Sequence, residues 1–398
     1  MEFLGYRREN GSWGVRNYVV VIPAANCANG LAVEIANGFD NVIALTHIGR
    51  CNYFGPDREM LWRVLVGLGS NPNAAAALVV GMGCEGVSAG KIASGIKQTG
   101  KLTEFVTIEE TGGFNRAVKK GREIIKKMLE VAFKARREPA RLKDLVLSIK
   151  CGGSDSISGI SGNIVVGKIS DKIITEGGTV IFTETAEIIG AEHVLAKRAV
   201  NEKVAGEIYS FANQMERRIS AVGIDIRGSQ PTPANIKGGL TTIEEKSLGA
   251  VVKSGTSPIQ GTLKWGEQPT EKGLFFMDGP SNMEVFSGCA AAGAQLLVYS
   301  LGGGLPAKMP VVPACSGRFP LMPIVKLTGN PKGYEKIKNN IDIYVGSVVQ
   351  GEETPEEAAE RALKEIIKIA SGEKTTIMES AVGDYMEQIS FNITGPLV

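Results

Sequence analysis

Residues 145–155 read LVLSIKCGGSD, and the way this stretch ends decides how the chain is read. An apolar run without polar alternation belongs in a parallel sheet covered on both faces. This one stops in a thiol, two glycines, a hydroxyl and a carboxylate, a costly ending unless the strand's end is put to use. The pattern recurs. YVVVIP (18–23) runs into AANC, NVIAL (41–45) into THIGRC, AAALVVGM (75–82) into GCEG and TEFVTI (103–108) into EETGG. Further on, TVIF (179–182) precedes TETAEIIGAEH, GLFFM (273–277) precedes DGPS, QLLVYS (295–300) precedes LGGGLPAK and MPIVKL (322–327) precedes TGNP.

Between these runs lie stretches with apolar positions three to four residues apart, such as AVKKGREIIKKMLEVAFKARR and TPEEAAERALKEIIKIASG, the spacing of helices with one buried face. Strands alternating with helices predict an α/β protein with mainly parallel sheets. Proline and charge in RREPARLKD place a boundary there. The expectation is a Rossmann-like N-terminal α/β domain over 1–138 and a larger C-terminal α/β domain over 139–398. In such sheets ligands bind beyond the carboxyl ends of the strands, where Cys27, His47, Cys51, Cys84 and Cys151 all fall.

Composition narrows the partners. Over 398 residues, 44 basic and 42 acidic side chains leave a net charge of +2, which favours a small-molecule substrate and gives no reason to expect nucleic acid or a membrane. No apolar run is long enough to span a bilayer and the start lacks a signal-peptide core, so the reading is cytoplasmic. Six cysteines without a CxxC pair suit free thiols or isolated metal ligands rather than a disulfide framework, and offer a thiol redox protein no adjacent resolving partner.

Individual residues leave alternatives open. His47 suits a metal ligand, a proton shuttle or a hydrogen-bonded loop residue, and Arg50 beside it suits a carboxylate. His193 follows Glu184, Glu187 and Glu192 without HExxH spacing, and also suits a plain surface helix. Cys151 with Gly152, Gly153, Ser154 and Asp155 suits an anion nest or a buried thiol. Thr241, Thr242 and Lys246 in GGLTTIEEKSLG offer hydroxyls and an ammonium to a polyhydroxylated acid, or simply cap a helix.

Seven stretches taken in order, YRRENGSWGVRNYVVVIP, GMGCEG, KCGGSDSISGISGN, ETAEIIGAEH, NIKGGLTTIEEKSLG, FFMDGPS and KLTGNP, resemble the altronate and galactarate dehydratase family, which also holds the large subunit of sulfolactate sulfo-lyase. The resemblance implies a metal-dependent lyase eliminating water from a sugar acid, or sulfite in the sulfo-lyase branch. A sugar-acid-binding subunit without turnover is the alternative. HIGRC is closer to the sulfo-lyase type, GMGCEG to the dehydratases. The small SAF domain that opens full-length members is missing, so a large subunit pairing with a separate small SAF-domain subunit is expected, within a homo- or hetero-oligomer. The implied cofactor is a divalent metal, Fe(2+) first and Mn(2+) or Zn(2+) next, held by His47, Cys151, Glu187 and His193. His47, His193, Lys246 and Asp155 are the implied catalytic groups, with Arg50, Gly152, Gly153, Ser154, Thr241 and Thr242 on the substrate and Cys84 and Glu85 as further candidates.

Overall fold

The computed structural model describes residues 1–281, 283–303, 319–379 and 389–393; the end of LGGGLPAK beyond Gly303 lies outside them. Fourteen strands are described: β1 (Glu2–Arg7), β2 (Trp13–Gly14), β3 (Tyr18–Pro23), β4 (Val42–Ala44), β5 (Ala74–Gly81), β6 (Leu102–Thr107), β7 (Glu138–Arg141), β8 (Val146–Gly152), β9 (Thr179–Phe182), β10 (Ile259–Leu263), β11 (Gly273–Met277), β12 (Leu296–Leu301), β13 (Ile324–Thr328) and β14 (Ile343–Tyr344). Three of them, β2-β1-β7, form a small antiparallel sheet; the others form a four-stranded sheet in the order β4-β3-β5-β6 and a seven-stranded sheet in the order β10-β11-β9-β8-β12-β13-β14, the two main sheets. Both are parallel throughout. This is the two-part α/β architecture the alternation predicts.

Strand parity explains the layers. On β3, Val19 and Val21 face one way and Val20 and Ile22 the other, because successive side chains point to opposite faces. The first pair packs on Leu31 and Ile35 of helix Asn29–Ala36 and on Ile125 and Met128 of helix Phe114–Ala132. The second pair joins Leu61 and Leu65 of helix Gly55–Ser70 and Ile92 and Ile96 of helix Ala89–Lys97. In the larger sheet Leu147, Ile149, Val180, Phe182 and Val298 share one core with the long helices, among them Pro355–Ala370. Ile181, Phe275, Leu297 and Tyr299, on the opposite face, belong to the same core as Leu61, Leu65 and Ile22. The two sheets therefore share one apolar layer, filled by helix Val285–Ala291 lying against helix Gly55–Ser70. The crossing is close enough that a Cβ on Gly67 would collide with the carbonyl of Ala291.

The turn SNPN does more than reverse the chain. Asn73 Oδ1 accepts from the backbone N–H of Val15 (2.8 Å) and Arg16 (3.2 Å), while its Nδ2 donates to the carbonyls of Gln295 (2.9 Å) and Leu321 (3.1 Å). Asn71 Nδ2 donates to Ala290 (2.7 Å) and Ala294 (2.9 Å). Two wholly buried amides thus stitch the first sheet's turn to the second. The first strand crosses the boundary too: β1 pairs antiparallel with β7, and Phe3 and Val15 are buried in the larger sheet's core.

His47 fastens the far edge of the smaller sheet. Its Nε2 lies 2.6 Å from the Pro23 carbonyl and its Nδ1 accepts from Gly49 N–H at 3.0 Å, which fixes the proton on Nε2. The ring is fully buried, meets Phe391 edge-on at 5.2 Å, and pairs in a backbone bridge with Ile389. Burial holds its pKa down to about 4, against the Pro23 hydrogen bond, which raises it.

Two outcomes follow from these anchors. Asn73→Ala strands several buried backbone groups, each worth about 1–3 kcal/mol, so urea unfolding shifts to a lower midpoint by roughly 3 kcal/mol or more; an unchanged midpoint would show that water replaces the amide. His47 binds its proton more weakly folded than unfolded, so its contribution is complete above about pH 6.5 and is lost as pH falls towards 4. The loss comes to roughly 2–3 kcal/mol by pH 4.5. His47→Gln flattens that part of the pH dependence in paired urea titrations; parallel curves for the two proteins would refute the assignment.

Candidate active site

The carboxyl edge of the seven-stranded sheet carries a buried charged cluster that begins with the opening stretch. On β8, Ser148 and Lys150 project to one face and Ile149 and Cys151 to the other. Glu184, two residues past β9, sits at φ +82° and ψ +68°, a left-handed conformation costing a non-glycine residue about 1–3 kcal/mol. That backbone turn sends its carboxylate across the end of β8. One oxygen serves each face: Oε1 accepts from Lys150 Nζ at 2.7 Å, and Oε2 accepts from Lys253 Nζ at 2.6 Å and from Cys151 N–H at 3.1 Å. Lys253 also donates to Cys151 Sγ at 2.9 Å, and Lys150 to the carbonyls of Ser281 (2.8 Å) and Cys151 (3.1 Å).

Electrostatics set the protonation states. Burial would lower both lysines, but Glu184 more than offsets it for Lys150, and Cys151 and Glu184 do so for Lys253, so both stay charged. Burial would raise Glu184, yet the two ammoniums hold its carboxyl below the usual range. Cys151 is pushed up to about 11 by burial, against the pull of Lys253, and remains a thiol at neutral pH. Two cations then face one anion, leaving a buried excess of one positive charge. Lys150 spends its three N–H bonds on the partners above; Lys253 has two partners among the described residues and one N–H bond to spare. Nearby, Glu187 Oε1 pairs with Lys246 at 3.2 Å, Lys246 also donates to Gln230 at 2.8 Å, and Glu187 Oε2 is buried with no hydrogen-bond partner. Thr183 Oγ1 and Ser281 Oγ, on the same strand-end loops, are buried without partners as well.

Other residues singled out in the sequence have their bonding capacity committed. Asp155 Oδ1 accepts from Ser158 N–H and Oγ, both at 2.7 Å, and from Ile157 N–H at 3.0 Å, while Oδ2 accepts from Gly303 N–H (2.5 Å) and Asn330 Nδ2 (2.6 Å). It ties the ends of β8, β12 and β13 together. Gly152 and Gly153 permit that approach, since a Cβ on Gly152 would collide with Tyr299 and Gly153 takes φ +60°. Ser154 is buried and its carbonyl accepts from Asn235. Thr242 Oγ1 caps helix Ile243–Val251 by accepting from Glu245 N–H, and Thr241 Oγ1 donates to Glu245 at 2.6 Å. Glu85 folds back on the N–H groups of Met82 and Gly83. Arg50 is exposed, as are Cys84 and His193, the last on the short helix Glu192–Ala196. His47 has both ring nitrogens engaged and shares no bonding partner with Cys151.

The implied ligand set therefore does not assemble. Among the described residues no group of three or more His, Cys, Asp or Glu side chains is placed to hold a metal ion, so His47, Cys151, Glu187 and His193 do not fit a shared divalent cation in this arrangement. The structure instead joins Cys151 to Lys150, Glu184 and Lys253, none of them among the implied ligands or catalytic groups. One signal was available: a lysine inside an otherwise apolar strand, as in LVLSIKC, must find a buried partner.

Comparison with known proteins adds the lineage. Residues 5–133 match the family described as D-galactarate dehydratase/altronate hydrolase, second domain, and residues 142–391 match D-galactarate/altronate dehydratase, C-terminal. The chain is 37% identical over 380 residues to (2R)-sulfolactate sulfo-lyase subunit beta of Chromohalobacter salexigens, covering 94% of this chain and 93% of that protein. It is 33% identical to altronate dehydratase of Bacillus subtilis and 29% identical to galactarate dehydratase (L-threo-forming) of Escherichia coli, each covered over 74% of its length. With both regions matched and similarity running through almost the whole chain, the protein belongs to the D-galactarate/altronate dehydratase family of enzymes.

Proposed function

We propose that the chain is the catalytic subunit of a lyase that removes the proton α to a carboxylate and expels a β substituent, the substituent being water from a sugar acid such as altronate or galactarate. The observation that carries this reading is the excess positive charge buried at the strand ends. A hydroxy acid's carboxylate supplies the missing anion. As the α proton leaves, that carboxylate becomes a doubly charged enediolate, and a fixed cation stabilises the second charge more than the first. Lys253, with one N–H bond uncommitted, is the group placed to meet it, and Glu184 holds both ammoniums still. Glu187 is the base that fits best: Lys246 orients one oxygen and leaves the other with an empty lone pair to receive the proton. The thiol of Cys151 stays protonated beside Lys253, in position to hand a proton to the departing oxygen. Loss of the α proton and the β hydroxyl gives an enol, which becomes the 2-oxo-3-deoxy acid.

A second reading keeps the same steps and changes the leaving group. With a β sulfonate the chain would release sulfite, and the 37% identity spanning 93% of the sulfo-lyase subunit favours it. That relative's name, as one subunit of an assembly, also supports a separate small partner, which we take to be the SAF-domain subunit.

Assay of the protein, alone and co-expressed with such a partner, with and without added Fe(II), on altronate, galactarate and sulfolactate tests both. A 2-oxo acid product from the first two supports the dehydratase, sulfite from the third the alternative, and no product from any of them overturns the lyase reading. Lys253→Met lowers kcat/KM by about 10²–10³-fold, the range for losing one fixed transition-state donor. Glu187→Gln lowers kcat by about 10²–10⁴-fold while KM changes little, as for loss of a general base; a variant that merely weakened binding would raise KM at unchanged kcat. A binding subunit without turnover would show saturable binding and no product.

A further inference from the structure

We propose that Cys27, Cys51 and Cys84 are the ligands of an iron–sulfur cluster seated on the carboxyl edge of the four-stranded sheet. They follow β3, β4 and β5, three adjacent parallel strands in the order β4-β3-β5, so the topology delivers three loops to one place although more than twenty residues separate each cysteine from the next. Cys27 and Cys51 are in contact, Sγ to Sγ 3.6 Å. Backbone hydrogen bonds lock the loops in register: Asn26 N–H donates to the Gly49 carbonyl (2.8 Å) and Gly86 N–H to the Cys51 carbonyl (3.0 Å). Cys84 lies within electrostatic reach of Cys27.

Packing does not account for these thiols. Cys289 is a cysteine in a packing role, wholly buried in the shared core, whereas Cys27 and Cys84 are exposed and Cys51 partly so. Clustered thiolates select soft metals or iron–sulfur clusters. A single ion needs donors converging on one point and a fourth ligand. The described residues provide no such convergence; the nearby His47 has both nitrogens engaged, and Glu85 is occupied by backbone N–H groups. A four-iron cubane asks for less, because each thiolate binds its own corner once the exposed Cys27 side chain turns away from Cys51, sulfurs on separate corners standing farther apart than the present 3.6 Å. Three cysteines fill three corners and leave one iron open towards solvent. Helix Asn29–Ala36 starts just past Cys27 without a side-chain cap, and its positive end favours an anionic cluster. On binding, the three thiols lose their protons to solvent, and two ferrous ions, two ferric ions and four sulfides come from solution, so that the cluster forms without any further oxidant.

This inference stands apart from the lyase reading, because iron and sulfide are counted without substrate. Full-length protein is purified anaerobically, reconstituted with equal amounts of ferrous and ferric iron and with sulfide, desalted and analysed. The expected result is broad visible charge-transfer absorption with about four iron and four sulfide per chain. Cys27→Ser, Cys51→Ser and Cys84→Ser each lower both contents at least tenfold while circular dichroism stays that of the parent, and Cys289→Ala keeps them. Colourless parent protein, one zinc per chain without sulfide, or a cluster that survives all three serine substitutions would overturn the proposal. If the serine variants fail to fold, the parent's iron and sulfide content still decides.

Discussion

The carboxylate of Glu184, shared between Lys150 and Lys253 across the end of β8, is the constraint on which the larger sheet's edge depends. Neither lysine would tolerate its fully buried position alone, because stripping water from an ammonium costs several kcal/mol unless an anion replaces it. Glu184 serves both and adds a hydrogen bond from the Cys151 amide, which pins the strand end against its neighbour β9. The left-handed backbone at Glu184 is the cost of reaching over the sheet. A folding problem with one carboxylate and two ammoniums leaves a remainder of one positive charge at the strand ends.

Much of the architecture is legible in the residues. Apolar runs such as YVVVIP and TVIF are strands buried on both faces, and stretches such as AVKKGREIIKKMLEVA are one-sided helices. In the chain, RREPARLKD falls between the last strand of the smaller parallel sheet and the first strand of the larger, and carries β7 itself. What the local pattern does not carry is how the sheets meet. Asn71 and Asn73 read as turn residues and are turn residues, yet their side-chain amides also reach carbonyls more than two hundred positions away, a contact without periodicity or composition to announce it.

The candidate site was legible in place but not in membership. Strand ends are where parallel sheets do chemistry, and Cys151 does lie at the centre of the cluster. His47 and His193 drew notice because the chain has only two histidines, and rarity carries no information about proximity: one ring is locked into backbone hydrogen bonds and the other is exposed on a short helix. Thr241, Thr242 and Asp155 have suitable functional groups, spent on a helix start in the first two and on tying three strand ends together in the third. Lys150 stands out as a charge inside an apolar strand, whereas Lys253 is one more lysine in a polar segment; its burial follows from a short helical turn folding under β8, a tertiary fact.

The pairing of β1 with β7 has a consequence for how the chain comes to be built. One edge of β1 pairs at once with β2, but its other edge meets β7 only after more than 130 further residues have been made, and Phe3 shares its core with residues made later still, in helix Pro355–Ala370. Until then β1 has one open edge and an aromatic side chain short of its full core, the kind of surface chaperones and aggregates compete for. The larger core therefore closes over β1, and a tag joined to that side of the chain rides on a strand secured well after it is made.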